Sequence, residues 1–322
     1  MKRKKHSKIF VYNLREFDEK PAYDDYSRAM GIPYDSTPCY LTLETADLAA
    51  DYDAVNIIYS KIDAPLLERW HALGVTKVIS RTIGLDHVDL AAADRLGITV
   101  AHVAYPPDAV ADYTLMLMLM GVRKLPHILR RDVAGERGFA GKMGKNLSEI
   151  TVGVIGTGAI GRAVIRRLQG FGPRILVAER SSNQDLANIA TRLPQSAVLA
   201  QSDVITLHLA STPKTERLID ASAIAGMKDG VGIVNTARGS LIDTQALLEG
   251  LIRGKIGFAA LDVVAGEEAF SYQDLQDQPV GDAAIAALRG LSNVIFSPHY
   301  AFYTSATIDA MARQSFEAIH TK

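Results

Sequence analysis

The sequence predicts an α/β protein of two domains, each a doubly wound parallel sheet. Three observations lead there. Short apolar runs alternate with helix-like stretches along nearly the whole chain, the rhythm of strands joined by crossover helices. A length of 322 residues suits two domains. A glycine-rich strand-to-helix turn, VGVIGTGAIG at 152–161, stands near mid-chain.

The first strands are expected at 8–13 (KIFVYN), 54–60 (AVNIIYS), 77–82 (KVISRT) and 98–103 (ITVAHV). Helical stretches at 64–74 and 89–97 separate them. Both end in glycine, which accepts the left-handed stop of a helix. Pro106 and Pro107 then open a long helical pattern over 108–131, because proline is tolerated in a first turn. Pro126 is expected to kink or end its later part. Residues 104–107 form the expected domain boundary, and 135–149 read as a glycine-rich surface loop.

A second alternating series follows, with strands at 150–156, 174–180, 203–209, 232–237, 257–263 and 293–298. A helix over 244–254 lies between two of them. This is the count of a doubly wound nucleotide-binding domain. The last helical pattern, 305–320, follows the sixth strand. Its return to the first domain would make that domain discontinuous. The expected domains are therefore 1–104 with 301–322, and 105–300.

Bulk properties exclude several classes. Apolar residues make up 48% of the chain and the net charge is −1. No global field draws it to nucleic acid or to a membrane. The basic start MKRKKHSK has no signal-peptide core and reads as a solvated tail over 1–7. The apolar run TLMLMLMGV (114–122) is too short to span a bilayer and reads as a buried helix face. Cys39 is the single cysteine, so no intramolecular disulfide can form. A cytoplasmic protein is the economical expectation. No histidine pair has the spacing of a zinc site.

Gly156, Gly158 and Gly161 give the spacing G-x-G-x-x-G between an apolar strand and a helix. The first allows the tight turn, the second close approach of backbone to a pyrophosphate, and the third close packing of helix on strand. Free N–H groups at the helix start face the anion. Glu179 closes the next strand, 18 residues after Gly161, where an acid reads the ribose hydroxyls. That favours NAD, since a carboxylate repels a 2′-phosphate. Arg180, Ser181 and Ser182 follow and suit a phosphate, so NADP stays open.

A bound nicotinamide implies hydride transfer. The co-substrate then needs an anchor for its charge, polarisation of its carbonyl, and a proton donor. The arginine fork suits the first two, and histidine the third. Ligands of open α/β sheets collect at the carboxyl ends of strands. Arg238, Glu267 and His299 follow three consecutive strands there. Singly they read as a salt bridge, a loop charge and a core histidine. Together, behind a dinucleotide fingerprint, they read as a catalytic set.

The motifs GTGAIG, NTARGSLID (235–243), ALDVVAGEE (260–268) and SPHYAFYT (297–304) resemble the D-specific 2-hydroxyacid dehydrogenases, and the resemblance runs over nearly the whole chain. Within that family it is nearest the D-lactate dehydrogenases of the glycopeptide (vancomycin)-resistance type. The segments 80–90, 103–123 and 266–274 carry this. The resemblance implies two Rossmann-like domains, the first discontinuous and substrate-binding, the second NAD-binding. Hinge closure and a homodimer built mainly on the cofactor domain are also implied.

Residue roles follow in the same way. Arg238 would bind the 2-oxo acid carboxylate and polarise its carbonyl. His299 would donate the proton. Glu267 would hydrogen-bond His299, and a nearby carboxylate favours the imidazolium. Asp262 would sit near the nicotinamide. The Ile83–Gly84 amides would grip the substrate carboxylate, with Tyr105, Phe302 and Tyr59 lining the pocket. Ala159, Ile160, Leu209, Ala210, Thr215, Thr236 and Ala237 match cofactor-contact positions. Ala210 stands where the family usually has proline, Thr82 where it has asparagine, and Pro106 where it has serine. Tyr300 and Tyr303 are expected to pack at the junction, and His87, His102 and His208 to serve surface or packing roles. Asp86 and Asp108 read as loop and helix-start residues.

The expected activity is NAD(H)-dependent reduction of pyruvate or a similar small 2-oxo acid to the D-2-hydroxy acid. The alternatives are a bulkier 2-oxo acid such as phenylpyruvate and, from another class, a dinucleotide-sensing binding protein. The formate-oxidising branch is disfavoured, because it carries glutamine at the Glu267 position.

Overall fold

Apolar strands alternate with aspartate-capped helices in the structure, a computed structural model that describes residues 8–179, 184–272 and 282–320. The basic tail (1–7), Arg180, Ser181, Ser182 and positions 273–274 of the 266–274 segment lie outside the described residues. The chain divides into two compact units, Met1–Pro106 with Tyr303–Lys322, and Pro107–Phe302.

The first unit carries β1 (Ile9–Val11), α1 (Lys20–Met30), β2 (Tyr34–Ser36), β3 (Ala54–Ile57), α2 (Ala64–Ala72), β4 (Lys77–Ser80), α3 (Leu90–Arg95) and β5 (Thr99–His102). Its sheet has the order β2-β1-β3-β4-β5, with every pairing parallel. Strands β1, β3 and β4 are buried along their length, as expected of parallel strands covered on both faces. Asp63 and Asp89 cap α2 and α3 through the amides of Leu66 and Ala92. The alternating pattern did not reveal β2, because YDS is polar and mostly exposed. The last helix of the chain belongs to this unit. Its Ala312 and Phe316 join Ile9, Tyr23 and Ile79 in one core cluster.

The second unit starts with α4 (Asp108–Val122) and α5 (Leu125–Val133). The sequence suggested one helical pattern kinked or ended at Pro126. The break falls earlier, at Lys124, whose φ of 52° is left-handed, and Pro126 sits in the first turn of α5. Proline costs little there, so it starts the second helix instead of ending the first. Gly121 lets α4 lie against the sheet, since a Cβ there would come 2.1 Å from the Phe258 ring.

The unit continues with β6 (Thr151–Ile155), α6 (Ala159–Leu168), β7 (Arg174–Ala178), β8 (Thr191–Arg192), α7 (Gln195–Gln201), β9 (Val204–Leu207), α8 (Ala221–Gly226), β10 (Val231–Asn235), α9 (Thr244–Ile252), β11 (Ile256–Leu261), α10 (Ala283–Gly290) and β12 (Val294–Phe296). Helix α11 (Ser305–Glu317) completes the set in the first unit. The seven strands run in the order β12-β11-β10-β9-β6-β7-β8, with all pairings parallel. The strand order reverses between β6 and β9, and ligands of such sheets bind at the carboxyl ends beside that point. The two-residue β8 was not anticipated. Among the described residues no helix is long and apolar enough to cross a membrane, and no cluster of three metal-ligating side chains occurs.

Candidate active site

The glycine loop leaves β6 at the switch point. Gly156 has φ 97°, and a Cβ there would lie 2.5 Å from the carbonyl oxygen of His208. A Cβ on Gly161 would lie 2.1 Å from the Gly156 oxygen, so the helix packs onto the loop only as glycine allows. Gly158 differs: its Cβ position is open, and it starts α6 with no side-chain cap. Gly158 and Ala159 are exposed, while Ile160 is half-buried against the core. An exposed helix start with bare amides and an open glycine fits a pyrophosphate. At the end of β7 the Glu179 carboxylate accepts a hydrogen bond from the Thr157 hydroxyl, so it is held over the same loop.

The loop after β9 borders the other side. Leu209 packs against the core. Thr215 ties the turn together, donating to the Ala210 carbonyl at 2.7 Å and accepting from the Thr212 amide at 2.9 Å. Its hydroxyl therefore shapes the turn at 210–215. Ala210 is exposed at the tip. His208 hydrogen-bonds Thr206 through Nε2 at 2.9 Å, and its Nδ1 is buried with no partner among the described residues. Burial pushes the ring down to about 3, which keeps it neutral.

At the end of β10, the buried Asn235 builds the turn that carries Arg238. Its Oδ1 accepts the Ala237 amide at 3.0 Å, and its Nδ2 donates to the Arg238 carbonyl at 2.9 Å. Thr236 is fixed by a 2.7 Å hydrogen bond to Thr114. Gly239 brings this turn against the loop after β11, since a Cβ on it would lie 2.1 Å from Val264. That close approach sets the Arg238 and Glu267 segments side by side. The Arg238 guanidinium is half-buried and donates to the Ala237 carbonyl at 2.8 Å.

The third segment holds His299. Its Nδ1 lies 2.8 Å from Oε1 of Glu267, and the other Glu267 oxygen accepts the Val264 amide at 3.0 Å. The carboxylate thus accepts a hydrogen bond from Nδ1–H and leaves Nε2 as the second ring nitrogen. His299 adopts φ 61°, a left-handed conformation costing about 1–2 kcal/mol for such a residue. Asp262 supplies the compensation. It is 1% exposed and accepts Ser297 Oγ at 2.6 Å and the Tyr300 and Ala301 amides at 2.9 Å each. Its carbonyl accepts the His299 amide at 2.8 Å. Burial pushes the Asp262 carboxyl upward, and these donors oppose the shift. All four donors belong to residues 297–301, so Asp262 shapes the histidine segment.

Phe302 is buried with its ring edge-on to the His299 imidazole, centroids 6.3 Å apart. Tyr272 stands on the ring too, at 5.7 Å, and donates to the His299 carbonyl. Tyr300 and Tyr303 were expected to pack, yet both keep nearly half of their surface exposed. Asp262 takes the Tyr300 amide, and the Tyr303 hydroxyl donates to Asp18 at 2.7 Å, so polar bonds place these residues.

The remaining predicted residues lie in the first unit. Ile83 and Gly84 follow β4 in a turn closed by the Thr82 hydroxyl, which donates to the Gly84 carbonyl at 2.7 Å. Thr82 is itself hydrogen-bonded to Ser80 at 2.6 Å, and Ser80 to His87 at 3.2 Å. Arg81 anchors the start of the turn from within the core. It pairs with Glu19 at 2.9 Å, both side chains being almost fully buried, and donates to the Tyr12 carbonyl. Tyr59 is left-handed at φ 52° with a buried hydroxyl, and Tyr105 is half-exposed. His102 contacts the neighbouring Val103 carbonyl.

Sequence reading missed Asn235, Ser297, Thr157 and the Arg81–Glu19 pair. Asn235 and Ser297 sit one position past an apolar strand run, which was the available signal. The ion pair had none, since 62 residues separate its members.

Residues 115–301 match the family described as D-isomer specific 2-hydroxyacid dehydrogenase, NAD binding domain. The chain is 38% identical over 301 residues to the D-specific alpha-keto acid dehydrogenase of Enterococcus faecium, covering 93% of this chain and 92% of the relative. It is 35% identical to the aromatic 2-oxoacid reductase of Clostridium sporogenes, over 94% of this chain and 92% of that one. A solved D-lactate dehydrogenase from Treponema pallidum superposes with a TM-score of 0.86 at 31% identity, over 97% of this chain and 95% of that chain.

Proposed function

The chain belongs to the D-isomer specific 2-hydroxyacid dehydrogenases, oxidoreductases that use NAD, and from that premise we propose that it reduces pyruvate or a similar small 2-oxo acid to the D-2-hydroxy acid. The His299–Glu267 hydrogen bond of 2.8 Å, at the same sheet edge as the glycine loop, carries this reading. When bound, the reduced nicotinamide supplies the hydride. The chain's own residues supply the rest. Arg238 anchors the substrate carboxylate and polarises the keto oxygen. His299 delivers the proton to that oxygen from Nε2, because Glu267 holds Nδ1. Asp262 and Asn235 hold the two segments in register. Gly156, Gly158, Ala159, Ile160 and Gly161 seat the pyrophosphate, Glu179 reads the ribose, and Leu209, Ala210, Thr215, Thr236 and Ala237 border the dinucleotide. The Ile83–Gly84 amides, Tyr59, Tyr105 and Phe302 form the substrate part of the same proposal. Under it the unit with the glycine loop binds NAD and the other unit binds substrate.

A bulkier 2-oxo acid is the second reading, because one relative at 35% identity is an aromatic 2-oxoacid reductase. A panel of 2-oxo acids with NADH separates the two: the proposal expects pyruvate to give the highest kcat/KM, and a preference for phenylpyruvate favours the second. His299→Ala should lower turnover by about 10²–10⁴-fold while NADH still binds. NADH binding with no turnover of any 2-oxo acid would leave the dinucleotide-sensing alternative and sink the enzymatic reading.

The proposal includes a homodimer. Leu125, Leu129 and Val133 recur every fourth residue on one face of α5, a helix with no buried residue, and all three are exposed. Phe139 and Met143, 96% and 87% exposed, follow. Such an apolar stretch suits burial against a second copy. A cavity of about 420 Å³ lined by Met143, Lys145, Val231, Gly257 and Asn293 opens at the amino ends of β9 to β12, away from the candidate site. A cytoplasmic location, where a chain with one cysteine needs no disulfide, completes the reading.

A further inference from the structure

Glu179 does not stand alone at the end of β7. Its side chain is 5% exposed, and its two oxygens face different partners. Oε2 accepts the Thr157 hydroxyl from within the glycine loop. Oε1 lies 3.9 Å from Nε of Arg192. The same guanidinium donates through Nη2 to the Glu179 carbonyl at 3.3 Å. Arg192 is the last residue of β8, which pairs with β7 through Leu176–Thr191 and Val177–Arg192. That pairing brings the guanidinium to the acid, and 49% of its side chain stays exposed.

A ribose-reading carboxylate disfavours NADP by repelling its 2′-phosphate, whereas an arginine at the same place attracts it. The guanidinium fork also matches phosphate geometry. Here both groups occupy one site. Thr157 holds one carboxylate oxygen over the loop, and the half-exposed Arg192 stands beside the other as its counter-charge. Opposite charges about 4 Å apart attract each other, which weakens the repulsion.

We propose that Arg192 is a second determinant of cofactor choice, offsetting Glu179 and offering donors to a 2′-phosphate, so that this chain tolerates NADPH more than the acid by itself would allow. The inference rests on the glycine loop binding a nicotinamide dinucleotide. Calorimetric titration of the full chain with NADH and with NADPH, in the absence of substrate, tests it through the ratio of the two dissociation constants. Arg192→Ala should raise Kd(NADPH)/Kd(NADH) by about tenfold. Glu179→Gln should lower that ratio by a similar factor, and the double variant should lose this gain. An unchanged or lowered ratio in Arg192→Ala overturns the inference. So does a gain in Glu179→Gln that survives removal of Arg192, because the phosphate donor would then lie elsewhere. A wild-type chain that binds neither dinucleotide refutes the underlying reading instead.

Discussion

His299, the proposed proton donor, is held by several independent contacts. Its backbone is left-handed, its ring is fixed through Nδ1 by Glu267, and its turn is gathered by a buried aspartate. A strained residue persists only where its surroundings over-determine it, and such residues cluster at functional sites. His208 is the opposite case. Its ring is pushed down to about 3 by burial, against about 6.5 in an unfolded chain. A depressed histidine means that the unfolded state takes up a proton which the folded state refuses. Stability from this group is therefore complete above about pH 6.5 and is lost as pH falls towards 3. Between pH 7 and pH 5 the loss should be roughly 1–2 kcal/mol. Urea unfolding of the wild type and His208→Gln at both pH values checks this: the variant should lose that much less. Equal pH dependence in both would mean that the ring titrates normally in the fold.

At the scale of an element, the glycine loop separates two requirements that its motif merges. Gly161 serves packing, because a Cβ would enter the Gly156 carbonyl at 2.1 Å. Gly158 faces open space and, under the proposed function, leaves room for the dinucleotide. Gly161→Ala should therefore lower thermal stability, by about 1–3 kcal/mol, and NADH affinity with it. Gly158→Ala should melt within a few degrees of wild type and still lose roughly tenfold or more in NADH affinity. Melting curves and NADH titration of both variants read this out. An NADH affinity in Gly158→Ala equal to wild type would remove that glycine from the binding surface. Helices α4 and α5 teach a related lesson. Their break is set by the left-handed Lys124, and Pro126 only fits into the turn that follows.

For the whole molecule, two parallel sheets of different strand order arise from one alternating pattern. The chain passes between its two units at Pro106–Pro107 and at Phe302–Tyr303, so the first unit is assembled from both ends of the sequence. The apolar face of α5 gives the proposed dimer its test. Val133→Lys combined with Phe139→Lys places charge on two side chains that are 90% and 96% exposed, so the fold itself should tolerate them. Light scattering should show a dimer for the wild type and a shift to monomer for the double variant. A monomeric wild type would reject the assembly.

The sequence by itself determined the α/β class, most of the strands among the described residues and the glycine loop, and it singled out the candidates Arg238, Glu267 and His299. Each is written in local signals: apolar runs, glycines at fixed spacing, and polar residues one step beyond a strand. Short polar elements carry no such signal, so β2 and β8 emerged only from pairing with their neighbours. The contacts that build the candidate site are likewise tertiary. Glu267 meets His299 across 32 residues and Asp262 meets Tyr300 across 38, while Arg192 reaches Glu179 through a strand without apolar pattern. Partners so far apart along the chain become neighbours only when the sheet sets their strands side by side.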